Sequence, residues 1–275
     1  MGDMFAISRP GVLRLIPLAM ATAITMALSA CQGSPAADEP AKEGLEFPKA
    51  DRPVSKLGGL SFSSEVQRDS MNEARVVMDL ARIRPGMSIA DIGAGEGYYT
   101  VRLAERVGPK GRVLAEDINP AASEKLGSRV MREGLENVSI KLGKPDDPEL
   151  PENSFDRIFL VHMYHEVTEP YAFLWNLRPA LREGGQLIVV DVDRPTGVHG
   201  IPPRLLFCEL NAVGFRLKEF VRKPELQGYY AQFEAIGARP APKNITPCRV
   251  LQDKPADNTD GQRLSAMPGE SRRTI

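Results

Sequence analysis

Apolar and polar positions along this 275-residue chain alternate between two kinds of stretch. Short runs at 87–92, 112–117 and 137–142, one ending at Val161 and one ending at Asp191, read as strands, the first of them as a buried one. Between them apolar side chains recur at three- and four-residue steps. These are Ala74, Val77, Met78 and Ala81; Thr100, Val101, Leu103, Ala104 and Val107; Leu126, Val130 and Met131; and Ala172, Leu174, Trp175, Leu177 and Leu181. Each set describes one buried face of a helix. Ser63 or Ser64 can cap the first helix, Asn119-Pro120 opens the third, and 84–86 and 108–111 are turns by composition. After Asp191 come a Pro/Gly loop at 194–203, a helix around 205–213, and strands at 215–221 and 228–234. Strands and helices alternate along the chain, whose length leaves room for one sizeable α/β domain plus tails.

The ends of the chain do not follow this pattern. Arg9 and Arg14 precede an apolar stretch at 15–28, so residues 1–30 read as a targeting segment and are set aside from the fold. Leu28-Ser29-Ala30-Cys31 resembles the lipobox of bacterial lipoproteins. That resemblance implies a lipid-modified Cys31, anchored at a membrane and facing the periplasm; Gln32 after it resembles the outer-membrane sorting pattern. Residues 31–56, rich in Pro, Ala and mixed charge, read as a flexible tether, and 238–275 as a disordered tail. The folded domain is then expected over 57–237.

Composition narrows the partners. The formal net charge is -1, and no basic cluster stands out, so nucleic-acid binding has no electrostatic support. Three cysteines are too few for a disulfide scaffold, and none are spaced as a zinc site. Cys208 lies on the apolar pattern of Leu205, Leu206 and Leu210 and reads as a buried thiol. In an oxidising envelope Cys248 is its candidate partner.

Candidate chemistry concentrates in 89–100, where a strand ending in Asp91 runs into Gly93-Ala94-Gly95-Glu96-Gly97 and a helix then opens. Glycines in such a turn let backbone approach a ligand, and the amides of the helix N-terminus face it. The dinucleotide fingerprint G-x-G-x-x-G would need its third glycine at Tyr98, so a dehydrogenase is disfavoured. The D-x-G-x-G-x-G form instead resembles the first motif of class I S-adenosylmethionine (SAM)-dependent methyltransferases. Three further segments resemble that family in order. Asp117 ends the second strand 26 positions after Asp91. Leu150-Pro151-Glu152-Asn153-Ser154-Phe155-Asp156 enters the fourth strand, and 178–191, with Gly184-Gly185, leads into the fifth.

The resemblance implies a Rossmann-like, doubly wound, seven-stranded sheet. It would be mostly parallel with an antiparallel last strand, and helices would cover both faces. SAM is the implied cofactor, held by Asp91, Gly93, Ala94, Gly95, Gly97, Asp117 and Ile118. A carboxylate suits a ribose diol because it accepts two hydrogen bonds. The loop after the third strand usually presents an acid to the adenine; Lys144 stands there, with Asp146 or Asp147 as substitutes. Glu96 and Tyr98 would border the methionine end.

The end of the fourth strand is where the family places acceptor and catalytic groups. His162, Tyr164, His165 and Glu166 are therefore the candidates for deprotonating an acceptor, His165 foremost. His162-x-x-His165-Glu166 does not match H-E-x-x-H and no third ligand is indicated, so no metal is expected. Small-molecule, lipid, quinone-like and protein acceptors all remain open. The alternative function is an envelope lipoprotein that uses the fold as a non-catalytic binding or scaffolding module.

Overall fold

A computed structural model of the chain describes residues 45–57, 64–223 and 228–249. The targeting segment, Cys31, the first part of the tether and the tail beyond 249 lie outside the described residues. Among those described, no helix is long and apolar enough to cross a membrane.

The chain runs α1 (Glu65–Ser70), α2 (Glu73–Leu80), β1 (Ser88–Ile92), α3 (Tyr98–Val107), β2 (Arg112–Asp117), α4 (Pro120–Glu133) and β3 (Val138–Leu142). It continues through β4 (Phe155–Val161), α5 (Pro170–Leu177), β5 (Leu181–Val192), α6 (Pro203–Ala212), β6 (Phe215–Lys223) and β7 (Gly228–Ala235). The strands form one seven-stranded sheet in the order β3-β2-β1-β4-β5-β7-β6. Pairing is parallel from β3 through β5, and β7 lies antiparallel between β5 and β6. The last strand is therefore the antiparallel one, as expected.

Alternation along the central strands builds two cores. Ile89, Phe159, Ile188 and Val190 face α2 and α3, whereas Ala90, Ile158, Leu160, Leu187 and Val189 face α5 and α6. Burial on both faces is why these strands read as nearly unbroken apolar runs.

Several expectations need correction. The first helix is two: Ser64 caps α1 through a capping box with Gln67, and Asn72, at φ 53°, breaks the helix before α2. Met131 is exposed, and Leu181 opens β5 instead of closing α5. The described parts of both ends expected to be flexible, 45–56 and 238–249, pack on the domain. Arg52 and Ser55 are buried, Ile245 and Cys248 are buried, and a bridge joins Asp51 to Arg249. Trp175 donates through Nε1 to the Pro240 carbonyl at 2.8 Å, and the Arg239 guanidinium lies 3.3 Å over its ring. Cys208 on α6 is bonded to Cys248 with Cα atoms 6.0 Å apart, so it is not a free thiol. The folded unit extends to at least 45–249.

The sheet order reverses between β1 and β4, the place where open α/β sheets bind ligands beyond the carboxyl ends of their strands. Two loops leave there: the glycine turn after β1 and the 162–166 turn after β4.

Candidate functional site

The glycine turn is pinned by the end of β2. Asp117 accepts from the Gly95 amide at 2.8 Å through Oδ2 and from the Asn119 amide at 2.8 Å through Oδ1. Asn119 in turn caps α4. The Glu116 carbonyl accepts from the Ala94 amide at 2.9 Å. Burial, with the neighbouring Asp117 charge, pushes the Glu116 carboxyl up to about 8, partly offset by the Gly93 amide.

Gly93 and Gly95 both have left-handed backbone, at φ 67° and 56°. A Cβ on Gly93 would fall 2.9 Å from Met163 Cγ, so the missing side chain lets the two loops at the switch point touch. A Cβ on Gly95 would meet nothing within 4 Å. The open cradle over Gly95 adjoins the half-buried Asp117 carboxylate, whose oxygens keep lone pairs after accepting one amide each. That donor and acceptor set fits an adenosine-bearing cofactor. Ala94 and Ile118 are half-buried beside the turn, and Asp146 is exposed after β3.

Asp91 is not at this surface. It is 3% exposed and accepts from Thr100 Oγ1 at 2.6 Å, stapling β1 to α3. Burial outweighs the Thr100 bond and pushes its carboxyl up to about 6. Tyr98 is also turned away from the cradle. Its ring lies between the guanidinium groups of Arg68 and Arg102, 3.7 and 3.9 Å from the centroid, and its hydroxyl donates to Asp69. Glu96 pairs with Lys125 on the surface.

The turn after β4 sends its polar side chains into three separate networks. His162, at φ 55°, brings Nε2 to 3.4 Å from Glu73 on α2, which also accepts two bonds from Arg68 and one from the Tyr99 hydroxyl. Tyr164 is fully buried in the opposite direction and donates to Glu209 on α6, which Arg52 also engages at 2.8 Å. Burial and the Glu209 charge hold the Tyr164 phenol well above its ordinary pKa. It is a structural hydroxyl and not an acceptor-side base. His165 follows the sheet: Nδ1 lies 2.9 and 3.0 Å from the two oxygens of Asp191 at the end of β5. Its Nε2 has no hydrogen-bond partner among the described residues.

Glu166 and His199 complete the third group. Glu166 Oε1 lies 3.9 Å from His165 Nε2 and 3.7 Å from His199 Nδ1. The expectation that no third candidate ligand accompanies His165 and Glu166 is therefore corrected: His199, in the loop after β5, supplies one. Sequence reasoning passed over Asp191 and His199 as site residues. The signal available was that Asp191 ends the strand beside β4 and that the chain has only three histidines.

Comparison with known proteins accords with this geometry. Residues 83–218 match the model of a methyltransferase-domain family. Curated relatives include the ubiquinone/menaquinone biosynthesis C-methyltransferase UbiE of Shewanella baltica, 27% identical over 163 residues. The corresponding protein of Shewanella oneidensis is 28% identical over 164 residues. Each match covers 55% of this chain, and the chain spans 65% of the relatives' own length. Among solved structures, a SAM-dependent methyltransferase from Aquifex aeolicus superposes with a TM-score of 0.54 at 26% identity, over 62% of this chain and 92% of that one. The [4+2]-cyclase SpnF shares the fold at a TM-score of 0.55 and 16% identity, over 68% and 88% of the two chains. Family and fold imply SAM as the cofactor. Over residues 83–218 the chain is thus similar to the methyltransferase-domain family.

Proposed function

We propose that the protein is a SAM-dependent methyltransferase of the bacterial envelope, tethered to the outer membrane through a lipidated Cys31, that methylates an apolar, membrane-borne acceptor. The observation that carries the reading is the Gly95 cradle locked to Asp117 at the switch point of the sheet. In it Gly93, Ala94, Gly95 and Gly97 form the cofactor turn, Asp117 and Ile118 border the ribose, and Asp146 is available to the adenine.

SAM in this cradle supplies a methyl group already activated by its sulfonium. The chain's part is to align the acceptor, exclude water and remove a proton where one obstructs attack. Met163 against Gly93 places the 162–166 turn beside the cofactor turn, so the acceptor enters over that turn. Tyr164 and His162 are engaged by Glu209 and Glu73, which leaves His165 and Glu166 as the polar groups on the acceptor side.

The Cys208–Cys248 bond supports a compartment outside the reducing cytosol, in keeping with the signal-like pattern at 1–31. The relatives named for ubiquinone and menaquinone biosynthesis support an acceptor that partitions into lipid. Incubation of the purified protein with methyl-labelled SAM and an envelope lipid extract tests the proposal. Label is expected in the lipid fraction and absent with Asp117→Ala. SAM binding without transfer to lipid, small-molecule or protein fractions would make the domain a binding module instead.

A further inference from the structure

We propose that His165, Glu166 and His199 bind a divalent transition-metal ion on the acceptor side of the fold. The inference rests on the methyltransferase reading only for what the ion would serve; the site stands on its own geometry.

One ligand atom from each residue lies within 4.8 Å of the others. Two imidazoles and one carboxylate suit zinc or a similar first-row ion, and three protein ligands leave a position for water or an acceptor oxygen. Tetrahedral coordination at about 2.0–2.1 Å needs ligand atoms roughly 3.3 Å apart. The 3.9 Å from His165 to Glu166 and 3.7 Å from His199 to Glu166 would close by about half an ångström, within reach of side-chain rotation.

The imidazoles point to a ligand independently of that proximity. The His165 side chain is fully buried, yet its Nε2 has no hydrogen-bond partner among the described residues, and neither has Nδ1 of His199. A buried polar atom left in this state costs about 1–3 kcal/mol unless something occupies it. The other ring nitrogen of His165 is held by both Asp191 oxygens, and Asp191 is fixed by the Val192 amide at 2.7 Å. A carboxylate behind a histidine, setting its tautomer and aiming the far nitrogen, is the usual outer-shell support of a metal-bound imidazole.

His199 is held with similar care. Its backbone is left-handed at φ 55°, a costly conformation for a non-glycine residue. Ser55 fixes it by accepting from the His199 amide at 2.8 Å while donating to the Thr196 carbonyl. Four parts of the chain thus converge on one point: the N-terminal segment, the turn after β4, the end of β5 and the loop after it. Glu166 and His199 retain 16% and 20% side-chain exposure, which gives the ion a path in.

With its Nε2 on an ion, His165 would not be a base. The metal would instead fix an acceptor oxygen and make it easier to deprotonate. This deepens the proposed function by favouring acceptors that carry a hydroxyl or carbonyl oxygen near the methylated atom.

The test is calorimetric titration of the untagged, disulfide-intact protein with Zn²⁺, with Mg²⁺ as the hard-cation contrast and SAM titrated in parallel. One equivalent of Zn²⁺ is expected, and no comparable Mg²⁺ binding. His199→Ala and Glu166→Gln, both at partly exposed positions, should weaken Zn²⁺ at least ~100-fold, and Asp191→Asn roughly 10–100-fold. Co²⁺ should give tetrahedral absorption bands in the wild type that His199→Ala abolishes. Zn²⁺ affinity unchanged in both ligand variants, or no binding by a chain that still binds SAM, overturns the metal site alone. Zn²⁺ bound as expected by a chain that ignores SAM would overturn the cofactor reading and leave the metal site standing.

Discussion

Replacing Glu73 by Ala is expected to destabilise the domain by about 3–5 kcal/mol, because it strands buried charge instead of merely deleting a contact. Glu73 is 2% exposed and is the shared acceptor for Arg68, Tyr99 and His162. Without it the Arg68 guanidinium, 14% exposed and stacked on Tyr98, has lost its counter-charge. In a domain of this size that loss lowers the melting temperature by roughly 10 °C or more. Glu73→Gln should fall between the two, since it keeps an acceptor but not the charge.

The same group predicts an acid limb. Burial alone would raise the Glu73 carboxyl, but the bonds from His162 and Arg68 outweigh it and hold its pKa down to about 2, against an ordinary value of 4.5. A carboxyl lowered by folding contributes stability that is complete above the unfolded value and disappears as pH falls through the folded one. Stability should therefore drop by about 3 kcal/mol between roughly pH 4.5 and 2, and Glu73→Gln should flatten that limb. A melting temperature within about 2 °C of wild type for Glu73→Ala would contradict the network's role.

Reduction of the Cys208–Cys248 bond is the second large effect expected. It closes a loop across a separation of 40 residues, which in the chain-entropy account is worth about 4 kcal/mol through the unfolded state. The bond also ties the segment after β7 to α6, where the Cys248 amide donates to the Tyr171 hydroxyl at 2.6 Å. Thermal melts with and without reductant, and of Cys208→Ser, should agree in the size of the fall. Mass analysis of protein exported from its own cell should show the pair oxidised. Free thiols at both positions would remove the main support for an envelope compartment.

The strands were legible because burial forces apolar runs and the glycine turn punctuates them, whereas the seven-stranded sheet with its antiparallel last strand was legible only through the resemblance to the methyltransferase family. The fate of the polar side chains after β4 was not. His162, Tyr164 and His165 are near neighbours in sequence, yet their directions are set by a 3₁₀ turn behind a left-handed His162. No apolar period encodes that geometry. Asp117 was readable from its place at a strand end. Asp91, the same residue type at a similar place, is spent on Thr100, and only the packing of α3 distinguishes the two. The docked ends were hidden for another reason: the segments around Arg52 and Pro240 are polar and proline-rich, and they are held by a few aromatic, ionic and covalent contacts instead of a stripe.

The central claim is that the cradle between Gly95 and Asp117 binds SAM, and calorimetric titration of the purified protein with SAM and S-adenosylhomocysteine tests it most directly. One saturable site for each ligand is expected. Asp117→Ala, which deletes a carboxylate able to take both ribose hydroxyls, should weaken binding by roughly 100-fold or more. No heat of binding from wild-type protein that melts cooperatively, or equal affinity in the variant, would contradict the account.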